Sequence, residues 1–511
     1  LSGGALPVSP DGASDLFRKF GESWHQVGLG SAASTPPWVG ILGLASLITF
    51  GKLKFFIALL FWVTPPLAFF VMYRSIKRTG LTIRFAVLGG LIYAMSPVVW
   101  NSISQGRIGT LVIALVAPTF ISLAPLQAAL KTSSWRRIYY LALFASFISA
   151  FSALFLVIWS GLALYFVIAE LINRSAEIKE LSPINFLMTA ELARIKRFVA
   201  FFIIPLLLNA PWSASLLVHP TQILLDPGLP VSGGSLSQVL LLNPGGTSGV
   251  PTWLVAPFII FLAIVLASNR YIGETVLSLG LLAIAVSVSQ LHISGHGSIG
   301  TVWTGTLLLF IEILILQPAL KIASTLIPNL RGSALGFRHL GSAVTAVVVI
   351  FSMFGTSVWA ITNGANSLVT SNKRAVIPAF VTSLSQSPAK PKTLVLGMEG
   401  SVLKYFITRG GDLEIGDPDV TVATPQEIEL AVADLISGVG ISSSKVIGAY
   451  GIQYIFMKTP VDPGVVRTID GIGGFTRSSA TADGVIWKVV GSRSRLSIFD
   501  AAAAVTQLDS N

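Results

Sequence analysis

Long apolar runs, separated by short polar and basic segments, dominate the first 362 residues of the chain. A helix needs about 20 mainly apolar residues to cross about 30 Å of hydrocarbon. Runs that approach or reach this length predict membrane spans at 53–73, 83–100, 108–130, 138–154, 157–173, 198–215, 252–268, 274–290, 302–325 and 341–361. The pattern therefore predicts an α-helical polytopic membrane protein with about ten spans.

The run from Ile138 to Asn173 is too long for one span and is interpreted as two. The loops on either side, Lys131–Arg137 and Arg174–Arg197, are both basic. Basic loops stay on the cytoplasmic side, so the chain must cross the membrane twice between them. We therefore predict two short spans with a break near Ser152.

A shorter apolar run, from Trp38 to Phe50, precedes the first span. It is too short to cross the bilayer, so we expect it to lie in the interface or to re-enter. After Thr362 the composition becomes that of a soluble domain. The predicted organisation is an outer N-terminal loop at 1–37, a membrane domain at 38–362 and a soluble domain at 363–511.

Hydrophobic periodicity in the last part predicts a small α/β or α+β module. The predicted elements are strands at Lys392–Met398, Ile452–Lys458 and Gly484–Val490, and an amphipathic helix at Pro425–Ser437.

Loop charges predict the orientation of the chain in a plasma (inner) membrane. Lys and Arg collect in alternate inter-span loops, which are then cytoplasmic. The N-terminal segment, the loop 216–251 and the C-terminal domain are consequently expected outside. Four basic residues beside the first span, at positions 18, 19, 52 and 54, oppose this orientation but are outnumbered.

The amino-acid composition argues against several classes of protein. Only 11% of residues are charged and 53% are hydrophobic, whereas a soluble domain carries about 25% charged residues. The formal charge of +11 is dispersed among short loops, which argues against nucleic-acid binding. The chain has no cysteine, which excludes disulfides, thiolate catalysis and cysteine-based metal sites.

The N-terminal segment carries a concentration of chemically useful side chains: Asp11, Asp15, Glu22, Trp24 and His25. A carboxylate held at the membrane surface can act as the general base that deprotonates an acceptor hydroxyl. The alternative is an ordinary solvated loop.

Arg107, within SQGRIGT, is the one Lys or Arg of the predicted outer inter-span loops. Its guanidinium suits bidentate contact with a phosphate. The alternative is an interfacial anchor that extends towards lipid headgroups.

Other ionisable residues near spans are Glu274, Glu312, His292 and His296. Glu312 lies inside a predicted span, so we expect it to pair with another polar span residue, or alternatively to serve a proton or substrate path. The two histidines are four residues apart, but Gly295 argues against a helix there, and polar loop residues are the favoured interpretation.

The stretch Pro7–Pro37 resembles an outer loop of large actinobacterial membrane glycosyltransferases, in which a cytoplasmic family-two glycosyltransferase domain precedes a multi-span region. The resemblance continues through Gly106–Thr110 and through VADLISG and GVIWKVV in the C-terminal module. The arrangement is also similar to the GT-C class, including the mycobacterial arabinofuranosyltransferases, which use polyprenyl-phosphate sugars and an acidic residue in the first outer loop.

The resemblance implies a GT-C-like fold with Asp15 or Asp11 as the base and Arg107 as a lipid-phosphate contact. Trp24 and His25 are then candidate substrate-binding residues. Implied partners are membrane lipids, a polyprenyl-phosphate sugar, a glycan acceptor and an upstream glycosyltransferase domain. The sequence requires no cofactor and identifies no metal ligands, although a divalent metal is possible.

The favoured hypothesis is a membrane glycosyltransferase of cell-envelope polysaccharide or glycolipid synthesis. The alternative is a non-catalytic platform or lipid-linked-sugar transporter that serves a separate glycosyltransferase domain. A conventional solute transporter is disfavoured because the sequence lacks clear inverted halves.

Overall fold

The computed structural model describes residues 2–123, 135–173, 190–246, 249–295, 298–331 and 336–364 of the helical part. In the C-terminal part it describes 391–399, 402–409, 413–421, 424–440, 442–493, 497–499 and 505–507, together with positions 368, 378, 381, 383 and 390. Two compact units emerge. The first contains Leu1–Phe20, Thr35–Ile293 and Gly300–Thr370, and the second contains Gly21–Ser34, Ser294–Ile299 and Ser371–Asn511.

The first unit is almost entirely helical. Its helices are α1 (Ala13–Gly21), α2 (Pro37–Ser46), α3 (Leu53–Arg78), α4 (Ile83–Ala94), α5 (Pro97–Ser104), α6 (Ile108–Leu123), α7 (Trp135–Phe151), α8 (Ala153–Asn173), α9 (Ala190–Leu208), α10 (Trp212–Val218), α11 (Leu236–Leu240), α12 (Ala256–Leu266), α13 (Ile272–Ser289), α14 (Gly305–Arg331) and α15 (Phe337–Asn363). Between α13 and α14 in the sequence, two short strands, β1 (His292–Gly295) and β2 (Ser298–Thr301), pair with each other, and Ser294–Ile299 of this hairpin are assigned to the second unit.

The predicted number of ten spans is not confirmed. Within the described residues, five helical segments are long and apolar enough to cross a membrane: Leu53–Arg78, Ile83–Ser104, Asn269–Ser289, Gly305–Pro328 and Phe337–Asn363. A sixth results if Val199–Leu208 and Trp212–Val218, which meet at 92°, count as one bent span. The run predicted at 108–130 enters residues that the structure does not describe, and that at 252–268 forms only a short helix after a 3₁₀ turn.

Side-chain caps explain where two long apolar runs break. The predicted break near Ser152 is present: α7 ends at Phe151 and α8 begins at Ala153. The Ser152 hydroxyl accepts the Phe155 N–H at 3.3 Å, which satisfies an otherwise unpaired donor of the first turn. Between α4 and α5 the cap is Ser96, followed by Pro97 at the first helical position.

The second unit contains a five-stranded mixed sheet with helices against one face. Its strands are β3 (Lys392–Glu399), β4 (Val402–Thr408), β5 (Ile452–Lys458), β6 (Phe475–Thr481) and β7 (Gly484–Val489), in the order β4-β3-β5-β7-β6. Its helices are α16 (Gln426–Ser437), α17 (Ser443–Ala449) and α18 (Pro463–Gly471), and a second small sheet joins β8 (Ser497–Phe499) to β9 (Val505–Gln507). Strands β3 and β5 are parallel, and the other pairs of the large sheet are antiparallel.

The predicted strands and helix of the C-terminal module are confirmed as β3, β5, β7 and α16. Apolar side chains from alternate strand positions, including Leu394, Ile455 and Trp487, form the core with the helices. The edge strands β4 and β6 were missed. Six of the seven residues of β6 are polar or small, because most of this strand lies at the exposed edge.

The structure divides the N-terminal residues 1–37 between its two units. Residues 1–37 do not form a unit of their own: Leu1–Phe20 belong to the helical unit, whereas Gly21–Ser34 belong to the unit of the C-terminal sheet. Leu29 explains the difference, because it packs against the apolar core of that sheet. Residues 21–34 join the C-terminal module through this apolar contact, which cannot be predicted from the local sequence pattern.

Candidate functional site

The two candidate carboxylates, Asp11 and Asp15, lie on the surface of the helical unit. Asp15 is in the first turn of α1, where the helix dipole favours a negative charge. One of its oxygens accepts from Arg18 at 3.1 Å, and the other accepts from the Gly12 N–H at 3.3 Å. Asp11 pairs with Lys54 at 3.0 Å, with 72% of its side chain exposed. Both carboxylates are therefore reachable by solutes, and both have cationic neighbours.

Trp24 and His25 belong to the second unit. His25 is buried and exchanges two backbone hydrogen bonds with Ser31, at 2.7 Å and 3.0 Å. Trp24 is 54% exposed, and its indole lies close against the backbone of Gly30. This turn therefore presents an aromatic ring to the surroundings and holds the imidazole inside.

Arg107 occupies the junction between α5 and α6, and only 3% of its side chain is exposed. Its Nη1 lies 4.0 Å from Oδ2 of Asp226, and its Nη2 donates to the Val231 carbonyl at 3.1 Å. The guanidinium carbon lies 4.6 Å from the ring centroid of Trp303, which is a cation–π contact. Arg107 is thus enclosed by protein and does not extend to lipid headgroups.

Burial dominates the electrostatics of this pair. It raises the pKa of Asp226 to about 7, although Arg107 acts in the opposite direction. Burial likewise lowers the pKa of Arg107 to about 10, against the influence of Asp226. The Arg107 Nε and the Asp226 Oδ2 have no hydrogen-bond partner among the described residues. For both groups burial is therefore the larger influence on the pKa, and the opposite charge of the partner is the smaller one.

A network of amides next to Arg107 fastens the loop between α10 and α12 to α5. The Asn101 amide donates to Asn243 at 2.8 Å and accepts the Val250 N–H at 2.6 Å. Asn243 in turn donates to the Val250 carbonyl at 2.9 Å, and Gln105 donates to the Gly245 carbonyl. Paired polar groups of this kind define a single arrangement in a low-dielectric interior.

The N-terminal residues close the same region. Ala5 donates its N–H to the Gln105 carbonyl at 2.8 Å and accepts from the Leu229 N–H at 2.8 Å. Gly228 approaches the Ala5 carbonyl so closely, at a φ of 108°, that any side chain there would overlap it. Three segments that are distant in sequence therefore meet around Arg107.

Glu312 lies within the span formed by α14, and its side chain is fully buried. Its Oε2 accepts a hydrogen bond from the hydroxyl of Ser96, the residue that caps α5. Structural pairing with a polar residue of another span was the favoured expectation, and Ser96 is that partner. The Glu312 Oε1 has no partner within the described part of the chain.

Of the two histidines noted in the sequence, the structure describes one. His292 lies in strand β1, and His296 falls outside the described residues. Across the described part of the chain, no group of three or more His, Cys, Asp or Glu side chains is close enough to hold a metal ion.

Sequence analysis missed Asp226 as the partner of Arg107, and it missed Trp303, Asn101 and Gln105. One signal was present, since Asp226 is the single charge of the loop 219–250. A single charged residue in an apolar loop of a membrane protein is expected to pair with a residue of opposite charge.

No protein-family model matches the chain, and no curated protein matches its sequence. Solved structures do match. The chain is similar to the cryo-EM structure of arabinofuranosyltransferase AftD from Mycobacteria, with a TM-score of 0.55 and 14% identity over 95% of this chain and 38% of that chain. A mutant form of AftD gives a TM-score of 0.53 and 14% identity over 95% and 40%.

The likeness establishes the fold. Along most of its length the chain shares the fold of these AftD structures, and it contains apolar helices long enough to cross a membrane. It spans about 40% of the length of these structures.

Proposed function

We propose that this chain is the membrane part of a cell-envelope glycosyltransferase that uses a polyprenyl-phosphate sugar donor. The observation that carries the proposal is the fold shared with AftD over 95% of the chain. In this proposal the N-terminal segment and the C-terminal module face the outside, where a glycan or glycolipid acceptor is available. Membrane lipids and an upstream glycosyltransferase domain are its further partners.

Asp15 is the proposed general base, and Asp11 is the alternative. Transfer from a phosphate-linked sugar requires removal of the acceptor hydroxyl proton and stabilisation of the departing phosphate. Both oxygens of Asp15 are held in place, one by the Gly12 N–H and the other by Arg18. The nearby Arg18 and Lys54 supply positive charge on the same surface.

Arg107 could contact the donor phosphate, the role predicted for it, only after a change in structure. Its guanidinium is engaged by Asp226, Val231 and Trp303 and is buried. A phosphate would have to replace Asp226 as its partner, which requires the loop that carries Asp226 to move. Without that movement Arg107 stays paired with Asp226 and holds the loop that carries it.

The test is sugar transfer by the full-length protein in lipid vesicles, with a radiolabelled polyprenyl-phosphate sugar and a glycan acceptor. Asp15→Asn keeps the size of the side chain and removes the base, so transfer should fall by about 10²–10⁴-fold. Asp434→Asn, an exposed carboxylate in the C-terminal module, is the matched control and should keep full activity. Full activity of both Asp15→Asn and Asp11→Asn would overturn the assignment of the base.

The second candidate is a platform or lipid-linked-sugar transporter for a catalytic domain elsewhere. The favouring observation is that the AftD structures are more than twice as long as the part covered by this chain. Donor binding that persists in both carboxylate variants, together with unchanged transfer, would support this candidate.

A further inference from the structure

The turn after α2 has its polar and apolar residues reversed relative to a protein surface in water. Leu47, Ile48 and Phe50 are 53%, 76% and 95% exposed, whereas Ser46 and Thr49 are buried. Exposed large apolar residues are unremarkable singly. Here three lie within four positions of one turn, whereas Thr49 between them and Ser46 before them are buried. The reversal indicates that hydrocarbon surrounds this turn.

The polar groups of the turn are satisfied internally, as a lipid environment requires. The Ser46 hydroxyl donates to the Gly43 carbonyl at 2.7 Å, and the Thr49 hydroxyl donates to the Ser46 carbonyl at 2.8 Å. The N–H groups of Phe50 and Gly51 donate to the carbonyls of Leu47 and Ser46, at 2.9 Å and 3.1 Å. These hydroxyl and N–H groups of the turn therefore do not need water as a hydrogen-bond partner.

Phe50 adopts a backbone conformation that bulky residues rarely take. Its φ is 56°, in the left-handed region, where glycine or asparagine is the usual choice. Folding alone gives no reason for an almost fully exposed phenylalanine at such a position. Contact of the ring with lipid supplies one, because it removes a large apolar surface from water.

The surroundings of the turn identify the occupant of this surface as lipid. The turn leads directly into α3, a candidate span whose Phe55 and Trp62 are 60% and 82% exposed. Lys52 and Lys54, both exposed, follow the turn in the sequence and precede these apolar residues; Lys54 also pairs with Asp11. Lysines at such a boundary place their ammonium groups among lipid phosphates while their stems cover apolar surface.

Helix α1 is attached to this turn. The Ala13 N–H donates to the Gly51 carbonyl at 3.1 Å. Leu16 is fully buried, and the rings of Phe17 and Phe20 lie against Gly43 and Gly40 of α2 so closely that an added Cβ would meet them at 3.1 Å and 3.2 Å. The position of α1, which carries Asp15, therefore follows that of α2 and its turn.

We infer that the turn 47–51 is inserted into the lipid leaflet at the N-terminal end of α3, and that it fixes α1 and Asp15 at the level of the headgroups. The insertion stands independently of any activity. Its consequence for chemistry rests on the proposed function: a base at headgroup level meets the phosphate end of a lipid-linked donor.

Depth measurement by spin labelling tests the insertion, and the absence of native cysteines makes single labels unambiguous. Ile48→Cys and Phe50→Cys would be labelled with a nitroxide in the full chain in phosphatidylcholine–phosphatidylglycerol vesicles. Collisions with oxygen, which concentrates in hydrocarbon, and with a water-soluble nickel chelate are then compared. Ser14→Cys, on the exposed side of α1, is the control.

Labels at 48 and 50 should collide with oxygen and be shielded from nickel, whereas the label at 14 should meet nickel. Nickel access at 48 and 50 equal to that at 14 would overturn the inference. Shielding from both reagents would also overturn it, since it would show that protein, not lipid, covers the turn.

The positioning of α1 has its own test. Ile48→Ser combined with Phe50→Gly removes the apolar surface and allows the left-handed backbone. In this variant the nitroxide at position 14 should shift towards water and gain nickel access. Phe337→Ser, at another highly exposed phenylalanine, should leave it unchanged. An unchanged depth at position 14 in the double variant would contradict the positioning, whether or not sugar transfer is observed.

Discussion

The Nη1 atom of Arg107 lies 4.0 Å from Oδ2 of Asp226, and both side chains are more than nine-tenths buried. This pair joins the α5–α6 junction to a loop more than a hundred residues further along the chain. Trp303 covers the guanidinium, and the Val231 carbonyl accepts one of its N–H groups. The loop between α10 and α12 is therefore anchored by a charge that has no access to water.

Removing one member of the pair should destabilise the protein more than removing both. At pH 8, Asp226→Asn leaves a buried cation without its anion, and breaking such a pair typically costs about 3–5 kcal/mol. Arg107→Gln leaves the buried carboxylate alone, with a similar effect. In the double variant Arg107→Gln/Asp226→Asn no buried charge remains, so part of the loss should be recovered. Thermal unfolding of the four proteins in detergent gives the comparison.

The control for this double-mutant cycle is Asp434→Asn. It removes an exposed carboxylate and should leave the unfolding midpoint equal to that of the parent protein within the error of measurement. Strict additivity of the two single losses would contradict the coupling of Arg107 and Asp226.

The raised pKa of Asp226 predicts a specific dependence of stability on pH. Its value is about 7 in the folded protein, against 3.8 ordinarily, so the folded state binds a proton that the unfolded state has released. The contribution of this carboxyl to stability is therefore fully present below pH 3.8 and is lost as pH rises through 7. The unfolding midpoint of the parent should fall between pH 5 and pH 8 more than that of Asp226→Asn. Parallel profiles would show that Asp226 does not titrate in this range.

The orientation in the membrane can be tested with single cysteines at exposed, described positions. Ser235→Cys in the loop and Ser442→Cys in the C-terminal module should react with an impermeant maleimide in intact cells. Asn269→Cys, between α12 and α13, should react only after the membrane is permeabilised, because the adjacent Arg270 favours the cytoplasmic side. Labelling in the opposite order would reverse the proposed topology.

The C-terminal module should fold on its own and be stabilised by the segment that carries Leu29. A fragment from about residue 389 onwards has an apolar core of ordinary size between the sheet and helices α16–α18. A peptide of residues 21–34 should raise its unfolding midpoint, because Leu29 packs against that core. The same peptide with Leu29→Ser is the control. Equal effects of the two peptides would show that Leu29 makes no such contribution.

The local pattern of apolar and polar residues was sufficient to predict an element wherever one face of that element is buried and the other is exposed. The alternation in Ile452–Lys458 and the amphipathic period in Pro425–Ser437 predicted β5 and α16, because one face of each is buried and the other is exposed. The break near Ser152 was predictable from the basic loops alone. The number of spans was not, since apolar segments inside a helical bundle also form short helices such as α12 and bent pairs such as α9 and α10.

The candidate site was only partly predictable. The sequence indicated Asp11, Asp15 and Arg107 as chemically significant, but it could not show that Arg107 faces the interior. That depends on Asp226 and Trp303, which lie more than a hundred residues away and reach it only when loop and helices pack.

By itself the sequence determined that the chain has long apolar helices able to cross a membrane and a separate sheet-containing module, because hydrophobicity and periodicity are properties of neighbouring residues. Only the tertiary structure decided which charges are neutralised inside, which apolar residues face outwards, and that residues 21–34 join the distant module. These features depend on contacts between segments far apart in the chain, and burial changes the free energy of a charge or an apolar side chain far more than its sequence neighbours do.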